Sequence, residues 1–191
     1  MGLFDNIANM AGAVGNAVQN TGAQQTSKTV VFQEMPETLE QMQALPEASL
    51  RDPLDVAALT VAALCVYPFN KDESIRMLNF LKGPQPLSPM EISFIRDRFM
   101  DSDYVPRSYL NGATPQNNYM PQRPYSVTVY ETPHSRDNFN EGYLTIYITS
   151  GGADNPRSVR LRTKPSTGEW FLWEQFLLVG IRVPDAQNPW A

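Results

Sequence analysis

Arg160 and Arg162 stand two residues apart in SVRLRTK, so on a β-strand both guanidinium groups leave from one face. Tyr130 in YSVTVYE and Tyr147 in YLTIYIT fall on the matching face of two further expected strands. Two guanidinium groups beside phenol rings suit a carboxylate or a phosphate, held by paired N–H donors between aromatic walls. The same four residues also suit a solvated outer sheet face, where Arg stems and Tyr rings lie flat and keep their polar tips in water. A second cluster is Trp170, Phe171, Trp173 and Phe176. Alternation sends Trp170 and Leu172 to one side and Phe171 and Trp173 to the other, so one pair needs cover beyond the main core. That cover is the N-terminal helix, the C-terminal tail with Trp190, or a partner.

Other reactive side chains are few. His134 is the single histidine, in TPHSRDN between two expected strands, and Ser135 and Asp137 are its neighbours in sequence only. Adjacency of this kind does not build a triad, so His134 is expected as an exposed loop residue. Cys65, the single cysteine, lies in a charge-free helix, the reverse of the electropositive setting that activates a thiol. One Cys and one His do not make a closed zinc site, and no calcium-loop spacing of acidic residues is present, so no metal is expected. GGADNP at 151–156 lacks the Lys and the strand-to-helix context of a phosphate loop and reads as a turn, so no cofactor is expected. With no catalytic set assembled, the chain reads as non-enzymatic.

Composition sets the bounds around these residues. The 191-residue chain is 42% hydrophobic and has one cysteine, enough apolar material for one core without disulfide staples. A net charge of -5 argues against a nucleic-acid partner, since phosphate binding needs clustered Lys and Arg. A reducing cytoplasm is the expected location, with no targeting segment or lipid anchor.

The element expected to position everything else is DPLDVAALTVAALCVYP, residues 52–68. Asp52 caps the helix, Pro53 occupies its first position, and Asp55 puts a carboxylate at the positive end. From Val56 to Val66 there is no charge and no polar face, the pattern of a helix covered all round. Its eleven residues, at about 1.5 Å each, are far short of a hydrocarbon core of roughly 30 Å. Further helices are expected over 71–82, closed by Gly83, and over 89–100, opened by the Ser88 and Glu91 capping box. A brief helix over 37–44 and a β-prone run at 29–32 precede the spine. Residues 101–124 have no period, and Tyr104, Tyr109 and Tyr119 either line a recognition surface or anchor the loop to the core.

Strands are expected over 125–131, 143–149, 158–164 and 169–176, with 177–183 extending the last or starting a fifth, Gly180 serving as a bulge. The fold class is therefore α+β: a three-helix layer packed on one face of a four- to five-stranded antiparallel meander. Residues 29–191 form one domain, and 1–28 an amphipathic helix or flexible tail. In that tail Leu3, Ile7, Met10 and Val14 form an apolar stripe opposite amide side chains, while Gly12 and Gly15 weaken the helix in isolation. Such a stripe asks for a protein surface, its own domain or another subunit, with membrane contact a lesser alternative because the polar face has no cations.

The stretches YSVTVYE, GYLTIYITSGGADNPRSVRLRTK and GEWFLWEQFLLVGIRVP, following DPLDVAALTVAAL, resemble a family of uncharacterised bacterial proteins, mostly from Firmicutes, known as a domain of unknown function. The resemblance covers residues 50–191, implies a bacterial cytoplasmic origin, and brings no activity or site residues. More distantly, helices followed by a meander with a GEW turn are similar to NTF2-like cone folds, which hold ligands or dimerise through the sheet. The expected function is a protein-interaction or assembly module, docking or self-associating through the N-terminal helix. The alternative is a small-ligand or enzymatic pocket between sheet and helices, using Arg160, Arg162, Tyr130 and Tyr147.

Overall fold

A computed structural model describes residues 26–190 and gives an α+β fold built around one helix. That helix, α2, is Pro53–Val66. The Asp52 carboxylate accepts the Leu54 N–H at 2.9 Å, and Pro53 follows it. From Leu54 to Tyr67 every residue is buried except Cys65. Thr60, the one hydroxyl in the middle, donates to the Val56 carbonyl at 2.8 Å and so brings no unpaired polar group inside. Val56, Leu59, Val61 and Leu64 have no exposure, and each such side chain stabilises the fold by about 1.5–3 kcal/mol.

The cover comes from a five-stranded antiparallel sheet in the order β1-β2-β3-β4-β5, and α2 touches all five strands. The strands are β1 Ser27–Phe32, β2 Tyr125–Tyr130, β3 Tyr143–Ile148, β4 Arg157–Lys164 and β5 Glu169–Gln175. β2 and β3 pair only at Val129 with Ile148 and Tyr130 with Tyr147, so the sheet bends there and curls round the helix. Val127, Val129, Leu144, Ile146, Ile148, Val159 and Leu161 line its inner face with no more than 1% exposure.

Two expectations are corrected here. The fifth strand is β1, not residues 177–183. Val30 and Phe32 are buried while Thr29 and Val31 are open, and the strand pairs with β2 along its full length. In 177–183, Leu177 and Leu178 are buried in succession, which a strand with one wet face does not allow. Arg157 ties that segment down as a turn, donating from Nε to the Val179 carbonyl at 2.9 Å and from Nη2 to that of Gly180 at 2.8 Å. Nor do three helices share one face of the sheet. α2 alone lies along all of it; α3, Lys71–Lys82, packs on α2 and the β5 edge, and α4, Pro89–Arg98, buries only Ile95. The short α1, Leu39–Gln43, packs on α3. The capping box at Ser88 and Glu91 is present, but α4 ends at Arg98, two residues before the expected end.

The α3–α4 joint covers the β5 edge. Gly83 has φ 58°, and the Phe171 ring would lie 2.2 Å from a Cβ at that position, so only glycine fits on both counts. Lys82, 8% exposed, reaches the Trp173 carbonyl at 3.1 Å and the Glu91 carboxylate at 2.8 Å. Burial pushes the Glu91 carboxyl up, but the Lys82 ammonium and the Ser88 N–H and hydroxyl outweigh it and hold it below its ordinary value. The aperiodic 101–124 segment is anchored from within. Tyr109 donates to the Leu177 carbonyl at 2.6 Å and Tyr119 to that of Arg182 at 2.7 Å, while Tyr104 stacks on Tyr119 at 5.3 Å. All three rings are buried, and burial pushes the Tyr119 phenol up to about 12, so it stays a neutral donor.

At the start of α2, Lys28 of β1 lies 2.8 Å from Asp52 and 2.6 Å from Asp55. Burial pushes the Asp55 carboxyl up, and Lys28 offsets only part of this. Lys28→Ala therefore leaves a buried carboxylate without its cation, at a cost of about 1–3 kcal/mol, discounted because Lys28 is itself partly exposed. A carboxyl raised on folding destabilises most when ionised, so in urea titrations the deficit is largest at neutral pH. It narrows as pH falls toward the ordinary Asp value. A deficit that holds constant or grows on acidification contradicts this pairing.

Candidate functional site

Alternation on β3 sends Leu144, Ile146 and Ile148 inward and Tyr143, Thr145 and Tyr147 outward. On β4, Val159 and Leu161 point in and Arg160 and Arg162 point out. The register sets Tyr143 opposite Arg162 and Thr145 opposite Arg160. Between β4 and β5 the pairing passes from Leu161 with Leu172 to Arg160 with Glu174, so Trp173 is an extra, bulged residue. The bulge places Trp173 and Glu174 together on the outer face, where strict alternation would allow one of them.

The guanidinium groups gather round one ring. Arg160 lies 4.3 Å and Arg162 5.2 Å from the centre of Tyr143, and Arg162 is also 4.9 Å from Trp173. Tyr143 and Trp173 meet edge to face at 5.6 Å. Glu174 stands 3.8 Å from Arg160; among the described residues Arg162 has no ion-pair or hydrogen-bond partner. Both cations are thus held by aromatic faces and keep most of their N–H donors free for an incoming carboxylate.

The structure divides the four residues expected together. Arg160 and Arg162 are neighbours, whereas Tyr130 and Tyr147 stack on each other at 6.4 Å, and the Tyr130 hydroxyl lies 3.3 Å from that of Thr149. The four stand on the face turned away from α2, and of them Arg162 lines a cavity at the edge of the sheet, with Trp173 and with Lys82, Pro84 and Gln85 of the α3–α4 joint. Tyr143 is the residue that sequence reasoning missed, although it shares the alternation of Thr145 and Tyr147. Of the aromatic cluster, Trp173 finds Tyr143, Phe171 finds the Gly83 turn, and Trp170 packs on Phe139 at 5.9 Å while its backbone N–H donates to Leu50 at 2.7 Å. Trp190 covers none of them and is 91% exposed. Leu3, Ile7, Met10 and Val14 lie outside the described residues.

The other reactive groups stay apart. His134 is exposed with Nδ1 3.3 Å from Asp137, and the buried Ser135 hydroxyl accepts the Thr132 N–H at 2.8 Å, so no base faces a nucleophile there. Burial pushes the Cys65 thiol up to about 12 against a small opposing effect of Arg107. It is protonated at neutral pH. Among the described residues, no group of three or more His, Cys, Asp or Glu is arranged to hold a metal ion.

Residues 34–185 match a family model described as a domain of unknown function, DUF6935. The chain belongs to this family. The DUF6935 match takes in α1 to β5 with all of the outer-face arginines and aromatic rings, while β1 and Lys28 precede it. No curated protein and no solved structure matches the chain. Among the described residues of this DUF6935 protein, no helix is long and apolar enough to cross a membrane.

The geometry is checked by a double-mutant cycle on stability. Tyr143→Ala and Arg162→Ala should couple by about 0.5–1.5 kcal/mol. Tyr147→Ala and Arg162→Ala, which do not touch, should add within about 0.3–0.5 kcal/mol. Equal coupling in both pairs contradicts the arrangement described.

Proposed function

We propose that this DUF6935 chain is a non-catalytic binding module that meets a protein partner through the outer face of its sheet. One observation carries the reading: Arg160, Arg162, Tyr143, Trp173, Tyr130 and Tyr147 share the face turned away from α2, each of them at least partly exposed. Tyr, Trp and Arg are the side chains that dominate binding energy at protein interfaces. Stacking already restrains the two guanidinium groups, so less side-chain freedom is lost on binding than for free arginines. Their free donors fit a partner that presents acidic side chains, and the net charge of -5 on the chain makes this local cationic patch the place where such a partner is accepted.

In the same proposal the stripe Leu3, Ile7, Met10 and Val14 supplies a second, self-associating contact, supported by its helical spacing. A bacterial cytoplasmic setting is part of the reading, supported by the sequence resemblance and by the single cysteine. The ligand-holding alternative of a cone fold has less support, because such a site needs the inner face of the sheet and α2 fills it.

A photo-crosslinking residue at Thr145, in the middle of the face, should give a discrete protein adduct in the source cells. The same residue at Asn155, in an exposed turn, should give none. The Thr145 adduct should disappear when Arg160 and Arg162 are both changed to Glu. Its persistence in a chain beginning at Thr26 assigns it to the sheet, and its loss there assigns it to the N-terminal stripe. No adduct at Thr145, or one indifferent to the charge reversal, overturns the proposal.

A further inference from the structure

The cover of α2 has one gap. Cys65 alone between Leu54 and Tyr67 is not fully buried, and it forms the floor of a cavity of about 550 Å³ at the C-terminal end of the helix. Met35, Pro36, Val66, Leu110, Pro121 and Tyr125 make apolar walls. The volume lies within the range that holds small organic molecules, and few polar groups reach it. Two of these are already engaged as caps: the Thr38 hydroxyl accepts the Gln41 N–H, and the Asn70 carbonyl oxygen accepts that of Glu73. Glu37 is exposed at the rim. The lining residues whose polar groups remain are Tyr125, with its phenol, and Arg107.

Among the described residues that line the cavity Arg107 is the one cation, and its side chain is 28% exposed. Its nearest carboxylate, Asp103, lies 3.9 Å away, and among the described residues its guanidinium makes no hydrogen bond. Five N–H donors, mostly withdrawn from water, none in a hydrogen bond and with only the distant Asp103 as ion-pair partner, ask beside an apolar cavity for an anion attached to an apolar body. Asp103 and Glu37 nearby make a single negative charge the better match than a doubly charged head.

We propose that this cavity binds a small apolar carboxylate, its hydrocarbon body against Met35, Val66, Leu110 and Tyr125 and its carboxylate on Arg107. The site shares no residue with the outer face of the sheet and stands independently of the function proposed there. The Cys65 thiol is protonated and takes no covalent part.

Octanoate, 1-octanol and octyl phosphate, titrated into the full chain, test this through the Met35 methyl signal in carbon–proton NMR spectra, assigned with Met35→Leu. Octanoate should shift that signal saturably, and octanol should bind at least tenfold more weakly. Arg107→Gln should weaken octanoate by about 10- to 100-fold, the range of a charge-assisted hydrogen-bond pair, and leave octanol unchanged. Arg107→Lys, which keeps the charge, should retain most of the affinity, and melting curves of both variants should match the native chain. Octanol binding as well as octanoate, octanoate binding that does not move Met35, or binding indifferent to Arg107→Gln overturns the proposal. Tighter binding of octyl phosphate overturns the assignment of the head group.

Discussion

A helix without a polar face must be covered on every side, and that constraint shapes the whole molecule. α2 carries apolar or small side chains all round, so a flat sheet on one side and water on the other would leave half of it exposed. The sheet answers by bending where β2 and β3 share only two residue pairs, which lets all five strands reach the helix. α3 and the tyrosine-anchored 101–124 segment complete the enclosure. Because the inner face of the sheet is spent on α2, any recognition by the sheet must use its outer face. The cavity above Cys65 is the one place where the enclosure fails.

The edge of β5 shows the same economy of parts. An open strand edge invites pairing with another chain. Here the bulge at Trp173 and the Lys82 ammonium act together: the bulge exposes a carbonyl, and the ammonium accepts the task of satisfying it while also bridging to Glu91 on α4. The same bulge turns Trp173 onto Tyr143 and Arg162. A device that closes an edge on one side of β5 therefore shapes the candidate binding face on the other.

Much of this was legible in the residues. α2 and α3 occupy 53–66 and 71–82 as their caps required, because Asp52, Pro53 and Gly83 act through local backbone geometry that a sequence displays directly. The alternation of β2 to β5 was equally plain. What stayed hidden depends on partners far along the chain. The run at 29–32 is too short to reveal that it closes the sheet; pairing with β2, almost a hundred residues on, decides it. The bulge at Trp173 has no glycine or proline to mark it. Tyr143 looked like the first residue of a strand and became the platform for both arginines only through the register with β4. Residues 101–124 lack a period because their order comes from side-chain hydrogen bonds to 177–182, which no local pattern records.

The claim that the fold is organised by enclosing α2 is tested most directly by native-state hydrogen exchange of the backbone amides of residues 56–66. If the account holds, these amides exchange only through global unfolding, are among the slowest in the protein, and give the free energy measured by denaturant titration. Exchange of these amides through a local opening, several kcal/mol below global stability and faster than that of the inner strands β3 and β4, would contradict it.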